Sequence, residues 1–192
     1  MSSINLLGNP IDFSGRKISV RKAHMSDVHA LLDLINGYAA KGIMLPRTEF
    51  EMSENIRDFM VAHAGDRLVG CGALHFYSPT SGEVRSLAVD PALKARGIGR
   101  RLIEAIELEA VDNELHALFA FTYVPEFFHK AGFQQVERGV LPLKVWKDCF
   151  RCPKFQCCDE IAVMKALRAH PVLEPHPDLD QGLVQLPRLQ PR

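Results

Sequence analysis

In the segment VRSLAVDPALKARGIGRRLIEA, the basic residues Lys94, Arg96, Arg100 and Arg101 surround Gly97-Ile98-Gly99. The apolar run before them reads as a strand ending at Val89, and the periodic residues after them read as a helix. A helix opens on N–H groups that lack intrahelical partners, and its dipole adds partial positive charge there. Glycines let the main chain approach a ligand with no Cβ in the way. The amides of such a loop, ringed by cationic side chains, describe a phosphate or pyrophosphate site. Two common nucleotide patterns do not match. The Walker loop needs a Gly-Lys-Ser/Thr ending that is absent, and the dinucleotide fingerprint needs a glycine where Leu102 stands. The plainer alternative is a helix that opens on glycines over a solvated basic loop.

Sulfur is the next candidate. Cys149, Cys152, Cys157 and Cys158 read C-x2-C-x4-C-C. Such a pair suits zinc, but the usual second pair at a distance is missing, so reduced thiols packing a C-terminal loop are the alternative. Cys71, in LVGCGAL, is expected as a small buried residue rather than a nucleophile, because no base adjoins it in sequence.

These residues need elements to position them. Lys17–Arg21 alternates like a strand, and Ser26 is placed to cap a helix with Val28, Leu31, Leu32, Ile35 and Tyr38 on one face. Thr48 and Glu51 form a capping box, with Met52, Ile56 and Phe59 continuing that helix. Phe59–Ala64 and Arg67–Phe76 flank Gly65-Asp66 as a hairpin, and Glu83–Val89 follows as a strand. The long helix carries Ile98, Leu102, Ile103, Ile106 and Ala110 on its apolar side. Ala117–Thr122 is a buried strand, Pro125 starts a short helix through His129, and strands are expected over Gln134–Glu137 and Ile161–Lys165. The pattern is an α/β (α+β) domain with a mostly antiparallel sheet.

The chain has 192 residues, 23 Lys+Arg against 23 Asp+Glu, and 47% hydrophobic residues, so the formal charge is zero. That balance speaks against a generally basic nucleic-acid binder. No apolar run reaches membrane-spanning length, and the N-terminus has no secretory signal pattern; the expected location is cytoplasmic, without membrane attachment. Residues 1–16 are expected as a flexible arm, 17–167 as the folded domain and 168–192 as a proline-rich tail.

Lys94-Ala95-Arg96-Gly97-Ile98-Gly99, after LAVDP, resembles motif A of the GNAT acyl-CoA N-acetyltransferases, [QR]-x-x-G-x-[GA], with Lys94 at its first position. The resemblance implies the GNAT fold, with acetyl-CoA as cosubstrate. Lys94 and the amides from Ala95 to Arg100 would then hold its pyrophosphate, and Leu87, Ala88 and Val89 would face the pantetheine arm. The motif strand would bulge and splay from Ala117–Thr122 to admit the thioester. PEFFHKAGF looks like motif B, which places Phe128 beside the cosubstrate. IMLPRTEFEMSENIRDF, VGCGALHFY, FTYVPEFFHKAGF and LPLKVWKDCFRCPKFQCCDEIAV look closer still to the short bacterial N-acetylglutamate synthase type.

By that resemblance the protein moves acetyl from acetyl-CoA to the α-amine of glutamate or a similar small amino acid, in arginine biosynthesis. Glu83 is the expected general base, direct or through water. The family's thiolate-protonating tyrosine is Phe128 here, so Tyr123 is the substitute acid. Glutamate's carboxylates favour arginine. Arg47 is the leading candidate, Lys144 a weaker one, and Arg85 either binds a carboxylate or pairs with Glu83, because side chains two apart on a strand share a face. His75 alternates onto a strand face and is a further candidate for lining the acceptor site. No metal is expected beyond the weak cysteine candidate, and a homodimer is an assembly to test. The rival readings are a GNAT enzyme for a polyamine, an antibiotic or a protein N-terminus, and a non-catalytic acyl-CoA sensor.

Overall fold

The computed structural model describes residues 18–141, 154 and 157–167. Lys144, Cys149 and Cys152, the expected arm and the expected tail lie outside the described residues. Strands β1 (Ile18–Lys22), β2 (Phe59–Ala64), β3 (Arg67–Ser78), β4 (Ser81–Val89), β5 (Ala117–Thr122), β6 (Gln134–Gln135) and β7 (Ile161–Ala166) form one sheet in the order β1-β2-β3-β4-β5-β7-β6. Only β4 and β5 run parallel; every other pairing among the described residues is antiparallel. Helices α1 (Val28–Ala39), α2 (Glu49–Glu54), α3 (Ile98–Asp112) and α4 (Pro125–Lys130) cover it.

Local chemistry accounts for most of these elements. The β2–β3 hairpin turns at Gly65, whose φ of 62° is the left-handed conformation that glycine adopts without strain. At α2, the Thr48 hydroxyl accepts from the Glu51 N–H at 3.2 Å, and the Glu51 carboxylate accepts from the Thr48 N–H at 3.0 Å. The expected continuation through Ile56 and Phe59 is not helical: α2 stops at Glu54, a 3-10 turn covers Ile56–Asp58, and Phe59 begins β2. Nor does Ser26 cap α1. Met25–Asp27 is a 3-10 turn, and Asp27 takes the corner: its carboxylate accepts from the His24 N–H at 2.8 Å and from the Arg21 guanidinium at 2.7 and 3.0 Å. The strand expected over Gln134–Glu137 is only two residues long.

The core has two sides. On one, Ile98, Leu102, Ile103, Ile106 and Ala110 of α3 pack with Val69, Leu74, Val84 and Leu118 of the sheet and with Phe128 and Phe133. On the other, Leu31 and Ile35 of α1 and Met52 of α2 pack with Phe59, Val61, Cys71, Ala73 and Ala88. Each fully buried Leu or Ile contributes about 1.5–3 kcal/mol of transfer free energy, which is why the 3.6-residue stripe of α3 decides where it lies.

Candidate active site

β4 ends at Val89, and the Asp90 carboxylate accepts from the Ala92 N–H at 2.9 Å to start a short 3-10 turn over Pro91–Leu93. The chain then runs exposed from Lys94 to Gly97. Ala95 (φ 64°) and Gly97 (φ 77°) are both left-handed, which folds the loop back on itself before α3. A Cβ on Gly97 would meet nothing within 4 Å, so this glycine answers a backbone demand and the space beside it is open. Gly99 has a different reason: a Cβ there would come within 3.1 Å of the Phe127 ring, so it lets α4 approach α3. The i→i−4 ladder of α3 begins with the Arg101 N–H donating to the Gly97 carbonyl at 3.1 Å. The amides of Ile98, Gly99 and Arg100 precede it, where a helix has donors to spare. Lys94 Nζ sits 5.2 Å from the centre of the Tyr38 ring, while Arg100 pairs with Glu104 at 2.9 Å on the surface. Spare amides, left-handed glycine, open space and nearby cations are what a diphosphate requires.

The sheet parts beside this loop. The β4–β5 ladder covers only Ser81–Ala117, Gly82–Leu118 and Glu83–Phe119. β4 runs on to Val89, while β5 pairs along its whole length with β7 on its far side. β4 also bulges. Cys71 pairs with Ala88 and Ala73 with Arg85, so β4 uses one residue more than β3 across this step, and Ser86 takes φ 49°. Of the expected pantetheine-facing residues, Ala88 and Val89 are back in register with β3, and the Val89 carbonyl accepts from the Tyr38 hydroxyl at 2.6 Å. Leu87 has no partner on β3.

Beside the bulge lies a shallow, open cleft lined by Arg47, Glu51, Asp58, Arg85 and Ser86 among others. Arg47 arrives on a loop clamped to α1. The Asn36 side chain donates to the Arg47 carbonyl at 3.0 Å and accepts from the Arg47 N–H at 2.9 Å. Glu83 is buried, and Arg85 Nε donates to its carboxylate, so the expected shared face brings these two side chains together. Arg85 also donates to the Tyr77 hydroxyl, with its guanidinium carbon 5.1 Å from the Tyr77 ring centre. Across the sheet, Glu83 stands opposite His75 on β3 and Phe119 on β5. His75 Nδ1 lies 2.9 Å from the carboxylate of Asp58, on the cleft wall.

Tyr123 follows directly on β5. Its hydroxyl accepts from Lys154 Nζ at 3.2 Å, and partial burial pushes its pKa up, so it keeps its proton. Phe128 is buried, edge-on to Phe127 and Phe133 at 5.3 and 5.2 Å. Cys71 is fully buried and its thiol is pushed up to about 12, so it stays protonated and is no nucleophile. Among the described residues no three His, Cys, Asp or Glu side chains gather as a metal site, and no helix is long and apolar enough to cross a membrane.

Several residues here escaped the sequence reading. Asp58 reaches the cleft from the 3-10 turn before β2, and Asn36 on α1 holds the loop that carries Arg47; no spacing in the sequence reveals either. Tyr77 had a signal, since it lies two residues from His75 on the same strand face. Glu160 had none: burial pushes its carboxyl up, against a hydrogen bond from Cys158 and the charge of Arg138, and Glu83 is near enough to add to the rise.

Residues 55–135 match the acetyltransferase (GNAT) domain. An uncharacterized N-acetyltransferase of Chlorobaculum tepidum is 40% identical over 148 residues, 77% of this chain and 96% of that protein. An amino-acid acetyltransferase of Mycobacterium tuberculosis is 36% identical over 69% of this chain and 77% of its own length. N-acetylglutamate synthase from Neisseria gonorrhoeae, solved with coenzyme A and N-acetyl-glutamate, superposes with a TM-score of 0.72 at 28% identity over 79% of this chain. The matched part is 35% of that longer synthase. The open loop before α3, the parted strands and these relatives agree: the chain belongs to the GNAT family of acetyltransferases, has the GNAT fold and uses acetyl-CoA as its cosubstrate.

Proposed function

We propose that the protein transfers acetyl from acetyl-CoA to the α-amine of L-glutamate, or a similar small amino acid, in the cytoplasm and in arginine biosynthesis. The observation that carries this reading is the cleft beside the β4 bulge, in which Arg47 and Arg85 both stand. A guanidinium fork matches a carboxylate in shape and charge, and an α-amino dicarboxylate offers two carboxylates; Arg47 takes one, while Arg85 is engaged by Glu83 and Tyr77. The amino-acid acetyltransferase of Mycobacterium tuberculosis and the gonococcal synthase, solved with N-acetyl-glutamate, support the same substrate class.

In this reading Arg47 takes a substrate carboxylate. Glu83 receives the proton that the amine must shed, directly or through water, and Arg85 holds the Glu83 carboxylate in place. The amine nitrogen bonds to the thioester carbon as the carbon–sulfur bond breaks. Tyr123, holding its proton, donates it to the departing thiolate and regains one from solvent.

The same cleft also holds Glu51 and Asp58, which would suit an acceptor with further positive charge, such as a polyamine or an aminoglycoside. An acceptor screen with thiol detection decides. Turnover highest on glutamate or a related amino acid is the expected result. Thiol release only with polycations or peptide N-termini would overturn the reading, and tight acetyl-CoA binding with no turnover on any amine would favour a sensor.

A further inference from the structure

The β4 bulge leaves a stretch of main chain without its ladder partners, and one side chain reaches that stretch. Cys71 Sγ donates to the Ser86 carbonyl at 3.4 Å, and the Ala88 N–H, two residues before the Asp90 N–H that donates to the Val69 carbonyl, faces Cys71 across the ladder. These two groups belong to the peptide units on either side of Leu87. In a trans peptide the carbonyl and the following N–H point in opposite directions. With the Ser86 carbonyl turned toward Cys71, the Leu87 N–H turns away from it. With the Ala88 N–H turned toward Cys71, the Leu87 carbonyl also turns away. Away from β3 is the side on which β5 has already left the ladder, beyond Glu83–Phe119.

The Leu87 side chain is fixed as well. Its Cδ1 lies 3.0 Å from where a Cβ on Gly72 would be, and Ile106 Cδ1 lies 3.1 Å from that point. The β3 segment Gly70-Cys71-Gly72 is thus shaped around the bulge: glycine makes room for the side chain of Leu87, and the thiol holds the peptide before it. Ser86, at φ 49°, is a non-glycine residue in a sparsely populated conformation, which persists only where its surroundings hold it.

We propose that Cys71 is a positioning residue for acetyl transfer: its thiol pins the peptide between Ser86 and Leu87, so that the N–H of Leu87 faces the slot that receives the thioester arm of acetyl-CoA. The role depends on the cosubstrate and not on which amine is acetylated. It needs the thiol as a donor, and burial suits it, because a thiol that stays protonated keeps its donor.

Cys71→Val stays apolar and keeps the strand preference but loses the hydrogen bond. Cys71→Ser keeps the bond and sacrifices apolar packing. A pinning role and a packing role therefore predict opposite orders. The full chain is titrated with coenzyme A by calorimetry, with melting temperature followed in parallel. The expected result is that Cys71→Val weakens coenzyme A about tenfold, while Cys71→Ser stays within about threefold of wild type, whatever the order of their melting temperatures. Wild-type affinity in Cys71→Val, or Cys71→Ser binding no better than Cys71→Val, overturns the proposal. If Cys71→Val does not fold, Cys71→Ala replaces it with the same expectation. Because the probe is coenzyme A, failure of the glutamate reading leaves this result standing, and failure here leaves the acceptor open.

Discussion

The loop before α3 and the cleft beside β4 serve one reaction with different parts of the chain. The loop is local: residues 94–100 bring their own amides, their own left-handed turns and their own charges. The cleft is assembled. Arg47 comes from the connection between α1 and α2, Asp58 from the turn before β2 and Arg85 from β4, with His75 and Tyr77 of β3 and Glu83 of β4 in contact with them. In the loop a side chain matters mainly when it is absent, as at Gly97. In the cleft the working groups are side chains brought in by several elements. A site made of main chain can be read from a short motif, whereas a site made of side chains across a sheet becomes visible only once the register is known.

Substitutions in the two regions should therefore fail differently. The largest effect is expected at Glu83→Gln, which removes the proton acceptor and should lower kcat by about a hundredfold or more. Steady-state rates at saturating acetyl-CoA check it, and a wild-type kcat would remove Glu83 as the base. Next is Arg47→Ala. It should raise KM for glutamate roughly tenfold or more while KM for acetyl-CoA moves little; equal shifts in both would erase the division between the regions. Asn36→Ala, which frees the loop that carries Arg47, should follow the same split with a smaller, several-fold rise.

On the loop side the split should reverse. Gly97→Val forces a β-branched residue into a left-handed conformation and should raise KM for acetyl-CoA several-fold, with KM for the acceptor nearly unchanged. Gly99→Ala meets only the Phe127 ring, so it should cost stability more than affinity. A similar loss of acetyl-CoA affinity in both variants would show that the loop responds as a packed unit and not through the Gly97 backbone.

The smallest effect tests how α1, which carries Asn36 and Tyr38, is anchored. The hydrogen bond from Arg21 holds the Asp27 carboxyl below its usual range. A depressed carboxyl pKa stabilises the folded state above the range of the unfolded chain, and that stability is lost as pH falls through the folded value. The wild type should melt a few degrees above Asp27→Asn at neutral pH, and the two should converge between about pH 5 and pH 3. Parallel melting curves across that window would mean that the pair contributes nothing that titrates.

Much of the fold was legible, for identifiable reasons. The hairpin at Gly65-Asp66, the Thr48–Glu51 box and the stripe of α3 are each decided within a few residues. The misses share a cause as well. Met52, Ile56 and Phe59 hold a helical spacing, yet Phe59 is claimed by pairing with Ala73 on β3, and a strand partner outweighs the continuation of a six-residue helix. Ser26 is a sound cap in isolation, but Asp27 has Arg21 and His24 to hold it. At the site, the pairing of Glu83 with Arg85 follows from strand alternation, and the bulge at Ser86 was anticipated only through family resemblance. The contribution of Cys71 to that bulge needed the register, because no spacing in the sequence joins residue 71 to the peptide before residue 87.

The parting of β4 from β5 has one more consequence. A sheet opened at its centre has an internal border whose polar groups await an outside partner, so a ligand lying there works as a temporary strand, completing the architecture as well as joining the chemistry. By mass action, a molecule present at a hundred times its dissociation constant adds about 2.7 kcal/mol to the folded form. The heat tolerance of this enzyme is thereby tied to the acetyl-CoA pool around it, and scarcity of the metabolite leaves a softer protein as well as a slower one.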